Sequence, residues 1–193
     1  MARPRSFDTE AAIEKAMQVF WTHGYEDASL PDLLEGMGLT RGSLYKAFTD
    51  KKTLFLKVLA HYESQAVQSG VALLTDDNIP NGAERIRTMF TSAYQAVTKG
   101  DQRGCLLCTA AAGPSSYDED IAEVVEQGLA ALRDGIEVAL AASPGHAHLD
   151  AASRRDLADM LIAQYVGLRT MARARVSDEM LRNAVRSVGV MLS

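Results

Sequence analysis

Apolar positions recur with a helical period through most of the chain. Within 8–24, Ile13, Ala16, Met17, Phe20 and Trp21 fall at i, i+3, i+4, i+7 and i+8, one face of an amphipathic helix. Asp8 is placed to cap its start and Gly24 to end it in a left-handed conformation. Asp50 is placed to cap a longer helix carrying Leu54, Phe55, Val58, Leu59 and Tyr62. Further helical patterns cover 82–99, 104–113, 118–142, 150–175 and 178–192, and DDNIPNG, AAGPSS and ASPGH between them read as turns. No window alternates with period two between hairpin turns, so no strand is predicted. The expected fold is all-α with about nine helices.

Residues 28–48, ASLPDLLEGMGLTRGSLYKAF, are the most specific stretch. Ser29 can cap a short helix, with Pro31 in its first turn and Asp32 adding negative charge at the positive end of the dipole. Leu33, Leu34 and Met37 give that helix an apolar side. Gly38 permits a tight reversal, Leu39 packs into the angle, and Thr40 can cap a second short helix. Two short helices joined by a Gly-containing turn are the pattern of a helix-turn-helix. On the second helix Thr40, Arg41, Ser43, Tyr45 and Lys46 present hydrogen-bond donors, while Leu44 and Phe48 hold it to a core. Gly42 carries no side chain, which allows close approach to a base edge or sugar at a cost in helix propensity.

Charge first argues against a nucleic-acid partner, since the 193 residues carry 20 basic and 25 acidic side chains, a net −5. Its distribution softens that objection. Residues 1–60 hold eight of each sign, so the whole deficit lies after residue 60 and the two parts have different jobs. No apolar run approaches the roughly 18–20 residues of a bilayer span, and MARPRSFDTE has no apolar leader core, so a cytoplasmic protein is expected. No GxSxG, P-loop, dinucleotide fingerprint or HExxH is present, and no enzyme is expected. Cys105-Leu-Leu-Cys108 has no second pair for a structural zinc site, and His146-Ala147-His148 reads as a solvated loop. No metal or cofactor is expected.

The first 60 residues closely resemble the TetR family of transcriptional repressors. Phe20, His23-Gly24-Tyr25, Ser29, Gly38-Leu39, Gly42-Ser43-Leu44-Tyr45, Phe48 and Lys51 carry the match, and the helical remainder fits with little motif content. Lys46 and Ala47 depart from a usual histidine and aromatic pair. Lys52 stands where an acid is common, opposes the helix dipole, and suggests a nearby phosphate.

The resemblance implies a helix-turn-helix domain over 1–50, a connecting fourth helix at 51–75, and a helical effector-binding and dimerisation domain over 76–193. It also implies a homodimer on palindromic operator DNA, released by a small-molecule effector. Arg41 is then the candidate for a bidentate guanine contact, with Thr40, Gly42, Ser43 and Lys46 beside it. Ser29, Tyr45 and Lys51 would bind phosphates, and Arg3 and Arg5 would lie on an arm along the DNA. The effector pocket would draw on Met89, Phe90, Tyr94, Cys105, Leu107, Cys108, Tyr117, Val125 and Tyr165. The last two helices would supply an interface through Leu157, Leu161, Gln164, Leu168, Leu181, Val185 and Val188, faces that also suit an intramolecular core.

Some TetR-like repressors with a similar GCLL segment, here at the start of the sixth helix, sense electrophiles or oxidants through its cysteine. Cys105, at a helix start beside Arg103, suits a lowered thiol pKa, with Cys108 one turn on as resolving partner. Two buried small hydrophobes are the simpler reading of the same pair, since free cysteine is among the most buried residue types. A helical dimeric adaptor that binds no DNA is the alternative from another class.

Overall fold

The computed structural model describes residues 7–193, so Arg3 and Arg5 lie outside the described residues. Every regular element among those residues is helical. The first three are α1 (Thr9–His23), α2 (Leu30–Met37) and α3 (Arg41–Phe48). The fourth, α4, runs as Lys51–Tyr62, a π turn at Glu63–Val67, and Gln68–Leu74. Then come α5 (Gly82–Thr98), α6 (Leu106–Ala112), a 3₁₀ turn at Pro114–Tyr117, α7 (Glu119–Ala141), α8 (Ala151–Arg173) and α9 (Asp178–Met191). These nine helices match the expected architecture. The π turn is the one irregularity that periodicity did not reveal.

The ends follow from local chemistry. Asp8 accepts hydrogen bonds from the N–H groups of Glu10 and Ala11, and Gly24 closes α1 at φ 85°. Asp50 and Asp118 cap α4 and α7 in the same way. Within the first domain Phe20 and Phe55 are buried, with ring centroids 4.8 Å apart, and Tyr25 lies 4.7 Å from Phe55. This aromatic knot locks α1 onto α4. In the larger domain α7 packs against α4, α5, α6 and α8, burying Ile121, Ile136 and Leu140. Arg85 is also buried. Its guanidinium donates to the carbonyls of Ile79 and Leu74 and to Asp77, tying down the loop before α5.

The last two helices correct part of the interface expectation. Leu161, Leu168, Leu181 and Val188 are buried within the single chain, because these sides of α8 and α9 close onto α5, α7 and each other. Leu157, Gln164 and Val185 sit at the edge, half-buried. Met160, Met180 and Val190 are the large apolar side chains left exposed on these helices.

Because Phe20 touches both partners of the aromatic knot, Phe20→Ala leaves a cavity at the heart of the first domain. We expect a loss of about 3–5 kcal/mol in denaturant unfolding, with α1 the first segment to lose hydrogen-exchange protection.

Candidate nucleic-acid interface

The turn between α2 and α3 is built by three short-range devices. Ser29 accepts from Asp32 N–H and Asp32 accepts from Ser29 N–H at 3.0 Å, a complete capping box at the start of α2. Asp32 therefore does more than the expected dipole compensation. Gly38 takes φ 68°, a left-handed conformation that lets the chain reverse and that an L side chain rarely adopts. Thr40 then caps α3 by accepting from Ser43 N–H at 3.3 Å.

α3 is a thin helix with two faces. Leu44 and Phe48 are buried, and Arg41, Gly42, Tyr45 and Lys46 are exposed. Thr40 is exposed, Ser43 is half-buried, and their hydroxyls lie 3.0 Å apart. A Cβ added to Gly42 would meet nothing within 4 Å. The chain's own packing therefore does not require glycine there.

Beside α3, the start of α4 joins the two domains. The Lys51 ammonium donates to the Glu26 carbonyl at 3.1 Å and lies 4.8 Å from the centre of the Tyr25 ring. Burial lowers its pKa, against the opposing pull of Glu26 and Asp27. The Glu26 carboxylate accepts from Ser115 N–H at 2.6 Å. Partial burial would raise its pKa, but hydrogen bonds from its own N–H and from Ser115 win and hold it below the usual range. Lys52, where the sequence suggested a nearby phosphate, is paired within the chain, its ammonium 2.7 Å from both Asp118 and Asp120 at the start of α7. Opposite it, Arg173 donates to the carbonyls of Trp21 and Thr22 at the end of α1. A cation at a helix C-terminus suits the dipole.

The sequence and the fold both have known relatives. Residues 12–58 match the family described as bacterial regulatory proteins, tetR family. The repressor ComR of Escherichia coli K12 is 52% identical over 60 residues, 31% of this chain, so the match spans only 29% of ComR. A cysteine variant of the TetR-family regulator CifR, solved with a 26-base-pair operator DNA, is 31% identical, covers 98% of both chains and gives a TM-score of 0.81. The chain belongs to the TetR family. Reduced E. coli NemR, 22% identical over 93% of both chains with a TM-score of 0.80, shares the fold.

In this TetR-family chain the expected effector residues are dispersed. Met89, Phe90 and Leu107 are buried core, with Tyr165 edge-on to Phe90 at 5.5 Å. The Tyr94 hydroxyl donates to Asp178 at 2.6 Å. Tyr117 is 91% exposed on the 3₁₀ turn. Val125 lines a cavity of about 460 Å³ between α7 and α8, with Leu129 and Ile162 as apolar walls and Glu126, Arg133 and Asp159 at its rim. Cys105 and Cys108 line a second, of about 220 Å³, shared with His23, Gly24 and Glu26 of the first domain.

Both cysteines are buried and neither forms a disulfide. A hydrogen bond from Cys108 lowers the Cys105 pKa to about 6, against burial and helped by the Tyr62 hydroxyl, 3.4 Å from its sulfur, and by the Arg169 charge. The same pairing pushes the Cys108 thiol up. Arg169 thus replaces Arg103 as the cation acting on this thiol. Arg103 is engaged by Asp101 and lies 4.1 Å from the Trp21 ring. The sequence points to Arg103 because it is near in the chain, whereas Arg169 arrives from α8 across the fold.

The thiolate's ultraviolet absorbance should therefore titrate near pH 6 in wild type and at higher pH in Cys108→Ala and Tyr62→Phe. A folded-state pKa below the free-thiol value of about 8.5 means the thiolate stabilises the fold above that pH, and the contribution is lost as pH falls through 6. A midpoint unchanged by both substitutions contradicts this assignment.

Proposed function

We propose that this chain is a transcriptional repressor that binds palindromic operator DNA as a homodimer through α3 and is released by a small-molecule effector. The observation that carries it is the exposed, side-chain-rich face of α3, with Arg41, Tyr45 and Lys46 outward and no packing role for Gly42. Arg41 reads guanine, Thr40, Ser43 and Lys46 add contacts, and Tyr45, Ser29 and Lys51 hold phosphates. The operator complex of CifR supports this reading.

Homodimer formation draws on the free faces of α8 and α9. Met160, Met180 and Val190 lie exposed there, and the Gln164 side chain reaches the Ala184 carbonyl and the Ser187 hydroxyl to join the helices. A dimer also doubles the weak binding of one helix-turn-helix. The effector occupies the cavity lined by Val125, whose apolar walls suit a compact, mostly apolar molecule.

Two variants test the DNA assignment against duplexes selected by the wild type. Arg41→Ala should lose about 1–3 kcal/mol of affinity and relax one operator position. Gly42→Ala should bind more weakly while leaving the fold as stable as wild type or up to about 1 kcal/mol more so. Unchanged affinity in both removes α3 from the interface, and a wild type that selects no duplex leaves the adaptor reading.

A second reading has its own observation. Cys105, its pKa lowered by Cys108 and Tyr62, lines the cavity between the domains. A peroxide-class oxidant takes two electrons from the thiolate to give the sulfenic acid, which Cys108 converts to a disulfide with loss of water. Mild peroxide should then release bound duplex from wild type and not from Cys105→Ser. Equal release from both leaves only the reversible ligand.

A further inference from the structure

Lys52 carries charge that the proposed interface does not use. It stands in the first turn of α4, where a cation opposes the helix dipole, immediately after the phosphate candidate Lys51. Two carboxylates hold its one ammonium, both 2.7 Å away and both from the start of α7. The Lys52 side chain is 37% exposed and that of Asp120 63%, so water screens the pair and the contact can be exchanged. One ammonium between two carboxylates leaves local negative charge at Lys52 in the first turn of α4, four residues past the end of α3 and next to the phosphate candidate Lys51.

We propose that Lys52 is an additional phosphate ligand that exchanges Asp118 and Asp120 for the DNA backbone on binding. The acidic pair is thus a competitor for DNA built into the effector domain. This rests on the proposed DNA binding and goes beyond it by assigning a contact and its regulation. The position of the competitor gives it meaning. Asp118 lies two residues after the segment 111–116, whose Ala111 and Ser116 line the larger cavity and whose Ala112 and Gly113 line the smaller. A change in either cavity reaches the two carboxylates through a few residues of chain. By linkage, whatever tightens their hold on Lys52 weakens DNA binding, and DNA in turn loosens the domain junction.

The test measures affinity of the full-length protein for sheared mixed-sequence duplex DNA over a range of salt concentrations. Lys52→Gln should flatten the log–log salt slope by about 0.9 for each protomer, and Lys52→Arg should restore it. Asp118→Asn with Asp120→Asn keeps a competent cap at 118 and should tighten binding several-fold. Removing negative charge tightens binding in any case, so the deciding comparison repeats the double substitution in the K52Q background, where most of the gain should vanish. Thermal melts confirm that each variant folds. An unchanged slope in Lys52→Gln, or an equal gain in both backgrounds, overturns the proposal. A wild type with no affinity for duplex at low salt overturns the DNA-binding reading itself.

Discussion

An eight-residue helix does not hold its shape in water, because nucleation costs more than one or two turns return. α3 is such a helix, Arg41–Phe48, and only Leu44 and Phe48 anchor it. Its order is therefore borrowed from its surroundings. The Thr40 cap and the left-handed Gly38 set where it starts, and the aromatic knot of Phe20, Tyr25 and Phe55 holds α1 and α4 as its platform. This division frees the remaining side of α3. Arg41, Gly42, Tyr45 and Lys46 have no structural duty and are available for recognition.

The platform is in turn held by the larger domain. On one side Glu26 and Lys52 engage Ser115, Asp118 and Asp120, and on the other Arg173 caps the end of α1. The two sides flank the cavity that Cys105 and Cys108 line. A change of volume or charge in that space acts on the same contacts that orient α1 and α4. The architecture thus puts the cysteine pair and helix placement within one layer of side chains. No long-range wire is needed.

Local signals in the sequence were strong where a single residue does a single job. Asp8, Ser29, Thr40 and Asp50 cap as their positions suggest, Gly24 and Gly38 take positive φ, and the apolar period locates all nine helices. The sequence was silent where partners come from afar. The pairing of Lys52 went unseen because its two carboxylates lie more than sixty residues away, and Arg169 was invisible beside Cys105 for the same reason. Tyr117 looked like pocket lining because an aromatic residue near an apolar helix usually packs, yet the turn at Pro114 throws it into solvent. In α8 and α9 periodicity identified apolar faces without saying which is covered. Leu161 and Val188 went inward, and Met160 and Val190 stayed out.

In the proposed function two copies of α3, related by two-fold symmetry, read DNA with their outward faces. Selection of duplexes from a random library by the purified wild type tests it most directly. The expected result is enrichment of an inverted repeat whose half-sites are centred about one helical turn, roughly 10 base pairs, or a multiple of it apart, with a guanine whose preference is lost in Arg41→Ala. Enrichment of an asymmetric site, or no enrichment beyond salt-dependent bulk binding, would contradict it.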